Sequence, residues 1–137
     1  IFVMEFKVGE SLFNRSAIDQ VWDYSLDLKN FHETSHHCVI APILVATNAK
    51  NVNGIVSTSH HNDGVLQPIN TSPELLEETL NTVLQWSSGT AIDASAWEAG
   101  RYRPTPTIIE AASALYGNHS VAELSRSDAG EKNLAKT

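Results

Sequence analysis

One cysteine, Cys38, stands among 137 residues. No intrachain disulfide can form, and a reducing compartment such as the cytoplasm fits. Cations are scarce too: nine Lys and Arg face 16 Asp and Glu, for a formal net charge of −7. Neutralising phosphates requires clustered cations, so the chain alone should bind nucleic acid weakly, through a local basic groove if at all. The longest apolar run, Cys38 to Ala46, is far too short to span a membrane. No signal peptide, internal repeat or low-complexity segment is visible. Paired-cysteine spacing, H-E-x-x-H and G-x-x-x-x-G-K-[ST] are missing as well, so no zinc motif and no triphosphate cradle is written in the chain.

What is present reads as a globular α/β chain. Apolar residues make up 42% and charged residues 18%, enough to bury a core within one domain-sized chain. The chain opens inside an apolar segment, IFVMEFKV, and closes on the polar stretch Gly130 to Thr137. Those two ends suggest a piece of a longer protein. On a strand, alternate side chains share a face. Phe2, Met4, Phe6 and Val8 would line one face, and Val3, Glu5 and Lys7 the other.

Ser16, with Asp19 three residues on, resembles a helix cap. Ala17, Val21, Tyr24, Leu28 and Phe31, flanked by Ile18 and Trp22, have the spacing of a helix face. Val39 to Ala46 reads as a buried strand, with Pro42 near its start or on an open edge. Strand, helix and strand in that order predict parallel pairing. Weaker strand signals lie near Ile55-Val56 and over Val65 to Ile69. Ser72-Pro73-Glu74 starts a second helix with the face Leu76, Leu80, Val83 and Leu84, ending near Ser87-Ser88-Gly89. Thr105-Pro106 starts another that Gly117 ends, and Ser120 to Glu123 is a capping box for a last one. The expected architecture is a small, mixed or mostly parallel sheet flanked by helices over residues 1–89, followed by a helical part over 90–137.

Glu5 and Lys7 raise the question of chemistry. They share a strand face, and Gln20 and Tyr24 lie one turn apart on the following helix. A structural ion pair with Tyr24 in the core accounts for the pattern as well as a reactive site does. E-x-K on a strand followed by Q-x-x-x-Y on the next helix resembles the PD-(D/E)XK nuclease superfamily, in the branch that carries that helix motif. The resemblance implies that Glu5 is a Mg2+ ligand and that Lys7 stabilises charge or orients the attacking water. It implies Gln20 facing the site with Tyr24 supporting it, and Mg2+-dependent phosphodiester hydrolysis as the reaction. The superfamily's first acid sits on a strand before E-x-K, where residues 1–137 offer none. The 137-residue chain should therefore be inactive, and the intact protein active.

A second resemblance covers most of the chain. Ala17 to Tyr24, Leu26 to His32, Pro42 to Thr47, Arg103 to Ala112 and Ser125 to Ala129 look like the N-terminal region of bacterial proteins with a schlafen group-3-like DNA/RNA helicase domain. It implies an ATPase or helicase module after residue 137. The alternative is a catalytically degenerate module that binds nucleic acid or a protein and regulates that ATPase.

Three further features invite function. His32 and His36, one turn apart with His37 beside them, suit either a two-histidine metal site or caps of a helix C-terminus. The lack of companion ligands favours caps. Trp97 with Arg101-Tyr102-Arg103 could stack bases, or the rings could pin a loop while the arginines meet surface acids; with so few cations, pinning is the expectation. Finally, an apolar edge strand at residues 1–8 is a template for another chain, which predicts a homodimer.

Overall fold

The computed structural model describes residues 1–50, 52, 56–58, 62–87 and 89–118. The elements run β1 (Phe2–Lys7), α1 (Arg15–Phe31), β2 (Ala41–Ala46), β3 (Ile69–Thr71), α2 (Leu76–Trp86), α3 (Ala94–Glu98) and α4 (Pro106–Asn118). The three strands form one sheet in the order β1-β2-β3. β1 pairs with β2 in parallel from Phe2↔Ala41 to Lys7↔Ala46, and β2 pairs with β3 in parallel from Ile43↔Ile69 to Val45↔Thr71. Parallel neighbours need a crossover, which α1 supplies between β1 and β2. The expected α/β class with a small sheet is what the chain adopts. Among the described residues no helix is long and apolar enough to cross a membrane.

Every residue of β2 is buried. That explains its unbroken apolar sequence, because a central parallel strand is covered on both faces. On one face Ala41, Ile43 and Val45 pack with Leu66, Ile69 and Val83, joined by Phe2 and by Leu76 and Leu80 of α2. On the other, Leu44 packs with Ala17 and Val21 of α1, joined by Val3, Phe13 and Ile18. Helix α1 therefore lies on the face of β1 that carries Glu5 and Lys7.

Pro42 is the second residue of β2, near the start of the strand as expected, although β2 is the central strand. Ala41 N donates to Ile1 O on the β1 side, whereas Ile40 N donates to Gly64 O on the other. Alternation turns Pro42 toward the β3 side, where its missing N–H costs nothing because the ladder is broken there. The Ile40↔Val65 bridge and the Ile43↔Ile69 pair differ by one residue in spacing. β3 accordingly starts at Ile69, just past Pro68, and not at Val65. The strand expected near Ile55-Val56 falls mainly outside the described residues, as does the capping-box helix at Ser120.

Helix α1 begins two residues earlier than expected, with Asn14 at the cap position and no side-chain cap bond. Ser16 lies inside the helix. The buried stripe is Ala17, Val21, Ser25 and Lys29, rotated away from Tyr24. On α2, Val83 and Thr79 are buried while Leu84 is exposed. Thr79 enters the core because its hydroxyl is satisfied by Leu75 O and pairs with Thr71 Oγ1 at 2.9 Å.

The chain divides after Arg103 into two compact units, 1–103 and 104–137. The division falls beyond the 89/90 boundary read from the sequence because residues 93–103 dock on the end of α1. Asp93 caps α3 by accepting from Ala96 N at 2.7 Å. Gly100 then passes so close to Thr34 and His32 that a Cβ there would lie 2.7 Å from His32 Nε2. In the second unit Pro106 opens α4, with Thr105 Oγ1 accepting from Ile108 N.

Lys29 has an unusual setting for a lysine. It is 9% exposed, and its Nζ donates to Cys38 O at 2.8 Å. Burial lowers its pKa from the ordinary 10.5, opposed in part by the nearby Asp63 carboxylate and by Cys38. The folded amine thus releases its proton more readily than the unfolded one, so between the two values the unfolded chain holds more protons. Stability should rise with pH from the folded value up to 10.5, a rise that urea midpoints from about pH 8 upward should show and that Lys29→Met should lack.

Candidate functional site

Glu5 and Lys7 point to the α1 side of the sheet because they alternate with Met4 and Phe6 on β1. Lys7 is the last residue of β1, at the carboxyl end of the parallel sheet. Its ammonium donates to Glu5 Oε1 at 2.9 Å and to Gln20 Oε1 at 3.0 Å. Gln20 in turn donates through Nε2 to the Tyr24 hydroxyl at 2.9 Å. The structure therefore brings all four sequence-selected residues into one hydrogen-bonded row, Glu5, Lys7, Gln20 and Tyr24, crossing from strand to helix. The Glu5 and Lys7 side chains are 24% and 31% exposed, so solvent reaches the row from one side. The Glu5–Lys7 ion pair of the structural alternative is present, whereas Tyr24, 47% exposed, is not the core residue that alternative made it.

The donor set suits a hard cation in part. Glu5 Oε1 is taken by Lys7, and Oε2 accepts no hydrogen bond among the described residues. A carboxylate oxygen of that kind is what Mg2+ prefers, together with waters and a substrate phosphate. Among the described residues no three His, Cys, Asp or Glu side chains gather as ligands, and the acid that pairs with Lys7 is Glu5.

One turn farther along α1, Tyr24, Asp27, Leu28, Phe31, His32 and Tyr102 line a groove of about 400 Å³. Tyr102 stacks parallel on Phe31 with ring centroids 5.6 Å apart, its outer face open. Beside the groove, Trp97 Nε1 donates to Ser35 Oγ at 2.9 Å and its ring meets His32 edge-on. Arg103 donates to Glu33 Oε1 at 3.0 Å. That hydrogen bond chiefly holds the Glu33 carboxyl below its ordinary range, with the Arg101 N–H and both guanidinium charges adding to it. The aromatic and arginine cluster thus pins the 93–103 segment to the end of α1, as the low cation count suggested.

His32 and His36 have different surroundings. His32 Nδ1 lies 2.6 Å from Ser35 Oγ, and His36 Nε2 is buried without a hydrogen-bond partner. His60 and His61 lie outside the described residues. Sequence reasoning missed Ser35, fully buried, on which both Trp97 and His32 converge. It also missed Lys29. Neither residue follows a helix or strand period in its contacts: Trp97 reaches Ser35 from a separate segment, and Lys29 reaches a backbone carbonyl past the end of its helix. Compared with protein-family models, with curated proteins and with solved structures, the chain finds no match.

Proposed function

We propose that the chain is the nuclease-like module of a helicase-associated bacterial protein, of the PD-(D/E)XK type, that hydrolyses nucleic-acid phosphodiesters with Mg2+ in its intact form. The observation that carries the reading is the Lys7 ammonium held between Glu5 and Gln20. The Gln20 bond ties the ammonium to α1 and holds it beside Glu5 on a side that solvent reaches, which is the placement an ammonium needs to meet a reacting phosphate. The site also lies at the carboxyl end of a parallel sheet, where open α/β folds bind ligands.

A bound Mg2+ would polarise the phosphate and activate water there, with Glu5 Oε2 as one of its ligands. Lys7 offsets the charge that grows on the phosphate oxygens. Gln20 fixes the ammonium through its carbonyl oxygen, and the Tyr24 hydroxyl holds the other end of that amide so that it cannot flip. The second acid would come from a strand beside β1, in a longer chain. Residues from 90 onward, including α3 and α4, then lead toward the ATPase.

The test is cleavage of single- and double-stranded DNA and RNA with Mg2+ or Mn2+. The 137-residue chain should show no substantial cleavage. A longer chain with an Asp or Glu on a strand before Ile1 should cleave, and Glu5→Gln in it should not. Nucleic-acid binding by the longer chain without cleavage of any substrate would make the module a degenerate binder that regulates its ATPase.

A further inference from the structure

We propose that the groove on α1 is a docking site for an arginine side chain of a partner protein, with the guanidinium lying on the open face of Tyr102 and bonded to the Asp27 carboxylate. The proposal goes beyond the hydrolytic reading and does not rest on it.

The groove follows from the helix repeat. Tyr24, Asp27, Leu28 and Phe31 succeed one another at helical spacing and share one face of α1. With His32 and Tyr102 they line the groove of about 400 Å³. This face is not the buried stripe, which holds Ala17, Val21, Ser25 and Lys29. Tyr24 and Phe31 stand two turns apart, about 10.5 Å along the axis, with Asp27 and Leu28 between them.

Tyr102 is fixed from behind. Its ring stacks on Phe31 with an interplanar angle of 1°. The residues on either side of it are tied to the end of α1: Glu33 N donates to Arg101 O at 2.9 Å, and Arg103 N to Phe31 O at 2.8 Å. Yet Tyr102 is 76% exposed. A held ring with one covered face and one open face is a platform made before its ligand arrives, and a preorganised group loses little freedom on binding.

A nucleobase and a guanidinium are both planar, and both stack on such a ring. The carboxylates choose between them. Asp27 lines the groove, and Asp23 lies one turn away, about 6 Å along the axis; both are exposed. Among the described residues neither meets a cation. Asp19, a further turn along the same row, does: it accepts from Arg15 Nε at 2.9 Å. At the other end Glu33 is already offset by Arg103. The unmatched charge beside Tyr102 is therefore negative, on a chain of net charge −7. It repels the phosphates that accompany a base and attracts a cation. An ammonium offers charge alone. A guanidinium also supplies a flat face for the ring and a fork of N–H donors for the carboxylate. In an extended segment, residues two apart share a side and lie about 6–7 Å from each other. Arginines spaced in that way reach Asp27 and Asp23 together.

The test titrates the 137-residue chain at low salt with the capped peptide Gly-Arg-Gly-Arg-Gly and follows amide shifts by NMR. The shifts should centre on residues 23–32 and 102, with a Kd of roughly 1 mM. Asp27→Asn and Tyr102→Ala should each weaken binding by about three- to fivefold. Tyr102→Phe should leave it unchanged, because the ring and not the hydroxyl carries the contact. Citrulline in place of arginine keeps the planar shape without the charge and should abolish binding, and lysine should bind less tightly than arginine. Circular dichroism establishes that each variant is folded. Shifts centred elsewhere, or an affinity indifferent to Asp27→Asn, overturn the proposal. Equal binding of the citrulline peptide, or tighter binding of a short single-stranded oligonucleotide in the same groove, overturns it in favour of a platform for bases. No cleavage is measured, so a failed nuclease assay leaves the result standing.

Discussion

Replacing Leu44 with alanine should lower the stability of the chain by about 2–5 kcal/mol. Leu44 is fully buried at the centre of β2, and it is the sheet residue on which Ala17 and Val21 of α1 close. Both helix residues are nearly as buried, so neither can move far into the space that the shortened side chain leaves. The cost then includes the cavity as well as the lost transfer of the side chain out of water. Leu44 is also the register partner of Glu5. The same substitution should therefore let α1 ride away from β1 and lengthen the Lys7 to Gln20 bond. Urea unfolding checks the first effect, as a lower midpoint with an unchanged slope. A change below about 1 kcal/mol would mean that α1 collapses onto the sheet without Leu44, against the tight packing of such interiors.

How much of this could be read in advance depended on how local each signal was. Glu5, Lys7, Gln20 and Tyr24 were legible because two short periods decide them, two residues on a strand and four on a helix. Both periods survive whatever the rest of the chain does. The parallel pairing of β1 and β2 followed from element order alone. The buried stripe of α1 did not follow from hydrophobicity. Lys29 and Ser25 occupy it in place of Tyr24, because Cys38 O and Val21 O satisfy their polar atoms, and Cys38 lies beyond the end of the helix, outside its repeat. The place of Pro42 near the start of β2 was legible, but not what admits it to a central strand: a break opposite it, at Gln67-Pro68, removes the need for its N–H.

Lys7→Met should separate structure from chemistry at the candidate site. The Lys7–Glu5 pair is partly open to water, with side chains 31% and 24% exposed, and pairs of this kind contribute up to about 1 kcal/mol. Methionine keeps much of the stem that lies against the sheet while removing the ammonium. Glu5 loses its partner but keeps its access to solvent, and Gln20 keeps its bond to Tyr24. The fold should survive, with stability lowered by less than about 1 kcal/mol. Chemistry should respond far more. An ammonium that meets charge growing in the transition state contributes on the order of 10²–10³ in rate. In a longer chain that cleaves, Lys7→Met should reduce kcat by that factor with little change in the affinity for nucleic acid, and Lys7→Arg should recover part of it. The two measurements are thermal or urea unfolding and single-turnover cleavage on the same variant. Suppose instead that Lys7→Met unfolds the chain by several kcal/mol and leaves cleavage intact in the remaining folded fraction. The ammonium would then be a cross-link between β1 and α1, and the reactive centre would have to be sought away from Glu5 and Gln20.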